Sequence, residues 1–117
     1  MVINKTGVWG EVYAVRYLRD NGYEIVTGNY RRRVGEIDII AKKDGFLCFV
    51  EVKTRGEDPL FRPFEAVDLS KQNKIKATAK LFLEIYGDEN VSRFDIIEVN
   101  LNKNYELIQL NHIKDAF

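Results

Sequence analysis

The chain has 117 residues, 45% of them hydrophobic and 12% aromatic, and its 18 basic residues balance its 18 acidic ones. This composition predicts one domain spanning 1–117 with enough apolar side chains for a core. A net charge of zero excludes the indiscriminate nucleic-acid binding of a basic protein, although a local basic surface remains open. Neither a bilayer-spanning stretch nor a signal-peptide core is visible, and Cys48 has no second cysteine to pair with. We therefore expect a cytoplasmic protein with no membrane partner.

The first predicted element is a helix over about 7–21, with Thr6 as its N-cap and Gly22 as its C-terminal stop. Its apolar stripe consists of Val8, Val12, Val15 and Leu18. Glu11 falls within this stripe, and a carboxylate on a buried face needs a partner. The alternative is that Glu11 lies at the edge of the stripe and interacts with the helix dipole.

A strand is predicted over 23–30, and three consecutive arginines, Arg31, Arg32 and Arg33, follow it at a turn. Arginine binds phosphate in a bidentate manner, so these side chains could contact a nucleic-acid backbone. A solvated, flexible rim is the equally weighted alternative.

The stretch over 35–55 reads as two antiparallel strands joined by Asp44-Gly45, a strong signal for a two-residue hairpin turn. Such a turn pairs Lys43 with Phe46. Counting outward from that pair places Asp38 opposite Glu51. A three-residue turn would shift the register by one and remove this opposition.

Because side chains alternate along strands, this register places four polar residues on one face: Glu36, Asp38, Glu51 and Lys53. The other face, which is predicted to be core, carries Ile37, Ile39, Cys48, Val50 and Val52. Two carboxylates directly opposite each other have Cβ atoms about 4.5–5.5 Å apart and repel. A shared proton, a neighbouring lysine or a divalent metal would relieve that repulsion. An ordinary exposed face with a cross-strand salt bridge is the other interpretation.

The second half begins with a loop over 56–64, which contains both prolines, followed by a short turn at 65–67. A helix is predicted over 70–86, ending at Gly87, with a core stripe of Ile75, Ala79, Phe82 and Tyr86 that Leu83 and Ile85 widen. Lys71 and Lys74 lie near the start of this helix, where a lysine interacts unfavourably with the helix dipole. They either bind an anion or are ordinary surface lysines. Strands are predicted over 91–101 and 105–110. Asp95 is expected to pair with Arg93 or with another basic neighbour, and His112 to be incidental.

Asp38 followed by Glu51-Val52-Lys53 resembles the signature of PD-(D/E)XK nucleases. GEIDIIA followed by FVEVKTR more closely resembles the YraN family, small bacterial proteins similar to Holliday junction resolvases. The wider superfamily's proline is absent and Ile37 stands in its place. Gly10, Glu11, Ala14 and Tyr17 also match the opening of that family, and Arg93-Phe94-Asp95 matches a later segment.

The resemblance implies a restriction-endonuclease-like fold, an α/β domain with a mixed central sheet flanked by helices in the order α-β-β-β-α-β-β. It implies a Mg²⁺ or Mn²⁺ site made by Glu11, Asp38, Glu51 and the Val52 carbonyl. The same likeness makes Asp38, Glu51 and Lys53 catalytic, with Glu36 supporting Lys53. Arg31, Arg32, Arg33, Lys71 and Lys74 would contact the DNA backbone.

The expected activity is hydrolysis of phosphodiesters in DNA, including branched or structured DNA, by a protein that acts as a homodimer. A nucleic-acid-binding or assembly module without turnover is the alternative from a different functional class. A structural protein with an internally satisfied Asp–Lys–Glu network is the third possibility.

Overall fold

The computed structural model describes residues 5–56 and 67–117. The elements in these residues are α1 (Lys5–Asp20), β1 (Glu24–Arg32), β2 (Gly35–Lys43), β3 (Phe46–Arg55), α2 (Leu69–Tyr86), β4 (Val91–Leu101) and β5 (Leu107–Ile113). The strands form a mixed sheet in the order β1-β2-β3-β4-β5, in which β3 and β4 are parallel. The predicted fold class and element order are confirmed. The predicted loop and short turn over 56–67 lie largely outside the described residues.

The two helices cover opposite faces of the sheet. The α1 face holds one apolar cluster, whose fully buried members include Leu18, Cys48, Val50 and Ile97. The α2 face holds a second cluster, which includes Ile40, Phe49 and Phe82. The centre of β2 and β3 is therefore buried on both sides, as strands next to a parallel crossover commonly are. No helix in the described part of the chain is both long and apolar enough to cross a membrane.

Helix α1 packs on the sheet through Gly10, Ala14 and Leu18, with Val15 beside them, so the predicted apolar stripe is recovered only in its second half. Gly10 and Ala14 are buried one turn apart, whereas Val8 is 54% exposed. A Cβ atom added at Gly10 would lie 2.6 Å from Thr54 Cγ2 and closer still to its hydroxyl. The helix therefore approaches β3 as closely as only glycine allows, which positions the α1 residues next to the end of β3.

The hairpin turn between β2 and β3 has the predicted form. Asp44 and Gly45 have φ angles of 50° and 83°, which are the two positive values of a type I′ turn. Lys43 pairs with Phe46, and the recorded antiparallel pairs continue outward through Ile39–Val50. The predicted register is confirmed over this stretch.

Beyond Ile39 the side-chain alternation of β2 changes. Ile37 joins the cluster on the α2 face, whereas Ile39 joins the cluster on the α1 face. The prediction that both residues share one face is therefore wrong. The neighbouring strand is irregular at the same level of the sheet, because Asn29 adopts a φ angle of 50° between the residues that pair with Ile37 and Ile39.

A buried polar network joins α1 to β4 and β5. Asp95 is fully buried and accepts two hydrogen bonds from the Arg93 guanidinium, at 2.9 and 2.8 Å, which confirms the predicted pairing. His112 Nε2 lies 2.8 Å from Asp95, and its Nδ1 lies 3.0 Å from the Tyr17 hydroxyl. The prediction that His112 is incidental is wrong, because β5 extends to Ile113 and buries this ring.

Candidate functional site

A cleft of about 350 Å³ opens where β2 and β3 part, beside the first half of α1. Its lining residues are Thr6, Gly7, Glu11, Asp38, Glu51, Val52 and Thr54. The sequence analysis had assigned a metal-binding role to Glu11, Asp38, Glu51 and Val52. The structure thus brings all four to the same cleft.

Asp38 lies at the point where the recorded β2–β3 pairing stops. Its Oδ2 atom accepts a hydrogen bond of 2.8 Å from the backbone N–H of Val52, so the carboxylate occupies the place of a strand partner. Asp38 is buried, and only 8% of its surface is exposed. Burial and the nearby Glu51 charge raise the pKa of Asp38 from 3.8 to about 7. The folded protein therefore holds a proton here near neutral pH unless a cation replaces it.

Glu51 is also buried, at 6% exposure, and two lysines approach the same oxygen. Lys71 Nζ lies 2.6 Å from Glu51 Oε1, and Lys53 Nζ lies 3.9 Å from it. Burial and the neighbouring Lys71 charge lower the pKa of Lys53. Burial alone would lower the pKa of Lys71 as well, but its hydrogen bond to Glu51 raises it. The two ammonium groups thus share one carboxylate at the edge of the cleft.

Glu11 reaches the cleft from α1. Burial raises the pKa of its carboxyl group, an Asn29 hydrogen bond lowers it, and the Glu36 and Glu51 charges raise it further. Glu11 is therefore part of the same electrostatic system as the hairpin acids. The sequence analysis had left open whether it served the helix dipole or a site, and its position lining the cleft favours the site.

Glu36 takes a different partner from the predicted one. Its Oε2 atom lies 2.7 Å from Arg31 Nε, and the two residues are Cα partners in the β1–β2 ladder. The prediction that Glu36 supports Lys53 is corrected, because Glu36 pairs across the β1–β2 ladder with Arg31 instead. Arg31 consequently lies close enough to the cleft to affect the pKa of Glu11.

The other predicted backbone-binding residues lie on the surface. Arg32 and Arg33 are exposed at the β1–β2 turn, and Lys74 is exposed on α2. The Arg32 guanidinium carbon lies 4.3 Å from the centre of the Tyr30 ring. Lys74 contacts this turn through its main chain, since a Cβ atom at Gly35 would lie 3.1 Å from the Lys74 carbonyl oxygen. The β1–β2 turn, which carries the arginines, therefore packs against the middle of α2.

Sequence reasoning missed several residues of the cleft. Thr6, Gly7 and Thr54 line it but carry no chemical signature of their own. Sequence reasoning assigned no role to Asn29, whose side chain lowers the pKa of Glu11. The one available signal was Gly10, a helix-interior glycine four residues before Ala14, which indicates close packing of a neighbouring strand.

A family model described as the uncharacterised protein family UPF0102 matches residues 10–99. The chain belongs to the UPF0102 family.

The match is supported by full-length relatives. A UPF0102 protein of Caldicellulosiruptor bescii is 42% identical over 119 residues and 100% of both chains. One of Alkaliphilus oremlandii is 44% identical over 97% of both chains. One of Chlorobium chlorochromatii is 43% identical over 95% of this chain and 89% of its own. The resemblance to the YraN family is thereby confirmed, and the matched range contains every predicted site residue.

Within residues 5–56 and 67–117, no three side chains of the His, Cys, Asp and Glu types come together as a ready-made metal site in this UPF0102 protein. Two features of the cleft would suit a divalent cation. Burial and the Glu51 charge raise the pKa of Asp38, and a cation held by the two carboxylates would relieve this repulsion. The Lys71 ammonium lies against Glu51 Oε1, where a cation is electrostatically favoured. Carboxylate and carbonyl oxygens are the ligands that Mg²⁺ and Mn²⁺ prefer.

Proposed function

We propose that this UPF0102 protein hydrolyses phosphodiester bonds in DNA, including branched or structured DNA, with the help of Mg²⁺ or Mn²⁺. One observation carries the proposal. Two buried carboxylates, Asp38 and Glu51, line one open cleft, and the ammonium group of Lys53 lies 3.9 Å from Glu51 Oε1. Like charges buried together are costly, and they occur where a cation or a proton is required for chemistry.

In this proposal Asp38 and Glu51 hold the cation, and Glu11 and the Val52 carbonyl complete its ligands. When bound, the cation supplies an activated water and neutralises charge on the phosphate. The Val52 N–H fixes one oxygen of Asp38 and leaves the other free. Lys53, which is only 27% exposed, is held beside Glu51 and can donate to a phosphate oxygen as negative charge develops there.

Backbone binding is assigned to the basic groups of the β1–β2 hairpin and of α2. Arg31, Arg32, Arg33 and Lys74 are exposed and carry no base-reading geometry of their own, so they would position DNA without reading its sequence. Lys71 is ion-paired with Glu51. A cation bound at Glu51 would repel this ammonium group and leave it free to contact phosphate.

The test is incubation of purified protein with branched, single-stranded and duplex DNA in Mg²⁺, in Mn²⁺ and in EDTA. We expect cleavage that requires the metal and falls at least about 100-fold in Asp38→Asn and in Lys53→Met. Glu84→Gln and Lys80→Met, on the exposed face of α2, are matched controls that should cleave normally. Undiminished cleavage by the Asp38 and Lys53 variants would refute the assignment.

A second candidate is a nucleic-acid-binding or assembly module without turnover. The observation in its favour is that Lys71 already neutralises Glu51 at 2.6 Å, so the site can persist without a metal. Calorimetric titration with Mg²⁺ and Mn²⁺ distinguishes the two candidates. Metal uptake that is lost in Asp38→Asn favours the nuclease, and DNA binding without metal uptake favours the module.

A homodimer is part of the nuclease proposal, because cleaving two phosphodiesters of a junction requires two sites. Light scattering coupled to size exclusion, with and without branched DNA, tests it directly. A protein that cleaves junctions symmetrically while remaining a monomer on DNA would exclude this arrangement.

A further inference from the structure

A second cavity, of about 300 Å³, lies at the end of α2 remote from Lys71. Its lining residues are Val26, Thr27, Tyr30, Lys42, Phe82, Tyr86, Gly87 and Asp88. None of the residues assigned above to catalysis, metal or DNA lines it. The volume is at the lower end of the range of about 300–1,000 Å³ for small-ligand sites, which suits one planar ring system.

Three aromatic rings form one wall of this cavity. Tyr30 and Phe82 pack edge to face at 5.2 Å, and Phe82 and Tyr86 pack at 4.9 Å. Sequence periodicity predicts Tyr86 in the core, but its side chain is 61% exposed. An exposed aromatic ring that buried rings hold in place presents a ready surface for stacking.

A charged pair lies beside the aromatic wall. Lys42 Nζ lies 2.7 Å from Asp88 Oδ2, and the Asp88 side chain is 5% exposed. The backbone N–H of Asn90 donates to Asp88 Oδ1 at 2.8 Å, which fixes the carboxylate. A donor and an acceptor are thus held side by side, and the edge of a nucleobase presents the same combination.

The Tyr30 hydroxyl adds an unsatisfied polar group to this region. It is buried and has no hydrogen-bond partner among the described residues. A buried hydroxyl without a partner costs free energy, so a polar ligand atom that reaches this wall is stabilised.

The position of the cavity connects it to the proposed DNA path. Lys71 and Tyr86 are 15 residues apart on α2, which is about 22 Å at the helical rise. Arg32 pairs with Gly35, and Gly35 packs against Thr78 in the middle of α2. The Arg32 guanidinium also covers the ring of Tyr30, which lines the cavity. A cationic group therefore lies directly beside the aromatic cavity.

We infer that the cavity binds one unpaired nucleobase of the DNA strand whose backbone crosses Arg32. The base stacks on Tyr86, its edge contacts Lys42 and Asp88, and its phosphate contacts Arg32. The inference rests on the nucleic-acid-binding part of the proposed function and is independent of turnover. Unpaired nucleotides are therefore recognised at the aromatic cavity, which is separate from the acidic cleft.

The experiment uses a single-stranded oligonucleotide containing 2-aminopurine, whose fluorescence is quenched by stacking. Titrations are done in EDTA, so that no cleavage can occur, with the same strand in a duplex as the paired control. We expect wild-type protein to quench the unpaired 2-aminopurine. Tyr86→Ala should bind about tenfold more weakly and lose the quenching, whereas Tyr86→Phe should retain both.

Ile85→Ala is the matched control, because Ile85 is 58% exposed on the same helical turn but does not line the cavity. Equal affinity and quenching for Tyr86→Ala and Ile85→Ala would overturn the inference, as would equal quenching of paired and unpaired 2-aminopurine. A further comparison uses free 2-aminopurine deoxynucleoside monophosphate. If this nucleotide binds as tightly as the oligonucleotide and its binding also depends on Tyr86, the assignment of the cavity to a DNA strand is overturned. Tyr86-dependent strand binding without any cleavage supports this site and removes only the nuclease proposal.

Discussion

Replacing Asp38 with asparagine should stabilise the folded protein at alkaline pH. In the wild type, burial and the Glu51 charge raise the pKa of Asp38 from 3.8 to about 7. Between these two pH values the folded state holds a proton that the unfolded state has released, so its free energy of unfolding falls as the pH rises. Above pH 7 the folded protein bears the full destabilisation that the raised pKa of Asp38 causes. A pKa difference of about 3 corresponds to a destabilisation on the order of 4 kcal/mol.

Asparagine removes this titration but keeps an oxygen that can accept the hydrogen bond from Val52. We therefore expect Asp38→Asn to match the wild type at pH 4 and to exceed its free energy of unfolding by up to about 4 kcal/mol at pH 8. The assay is urea denaturation across this pH range in EDTA, with Glu84→Gln as an exposed carboxylate control. Parallel stability curves for wild type and Asp38→Asn from pH 4 to 8 would refute the electrostatic description of the cleft.

Three further predictions concern other parts of the structure. Gly10→Ala should lower the free energy of unfolding in urea by about 1–3 kcal/mol, because the new methyl group collides with Thr54, and adding Thr54→Ala should recover part of the loss. Asp95→Asn should lower the melting temperature at pH 7. Burial opposes ionisation of Asp95, but hydrogen bonds from His112 and Arg93 hold its pKa at about 2. The ionised network should therefore stabilise the wild type above about pH 4, and this stabilisation should be lost as the pH falls through 2. Lys71→Met should bind Mg²⁺ more tightly in calorimetry, since it removes the ammonium group that competes at Glu51, whereas unchanged or weaker uptake would contradict that competition.

The predicted elements were recovered where local signals are strong. Asp44-Gly45 requires positive φ angles at both positions, and few other local structures accommodate that pair, so the turn and the register next to it followed from sequence. The ends of α1 and α2 followed from Gly22 and Gly87, both of which have positive φ angles. β4 was placed at its observed bounds of Val91–Leu101.

The errors occur where packing partners decide the outcome. Helical periodicity places Tyr86 on the same stripe as Phe82, yet Tyr86 lies at the last residue of α2, where it is 61% exposed and lines the second cavity. Strand alternation places Ile37 beside Ile39, but the two residues belong to clusters on opposite faces of the sheet. A terminal histidine carries no periodic signal, so the burial of His112 follows only from the pairing of β5 with β4.

The sequence by itself determined the hairpin turn and the register from Lys43–Phe46 to Ile39–Val50, because these relations follow from a two-residue turn and the period of a strand. Tertiary structure alone decided that Glu11 lines the same cleft, that Lys71 pairs with Glu51 and that Glu36 pairs with Arg31. The first two contacts join elements that are distant in the chain, whereas Glu36 and Arg31 lie on consecutive strands and meet through the β1–β2 register. Their geometry depends on how closely α1 packs at Gly10 and on which way β2 turns after it leaves β3.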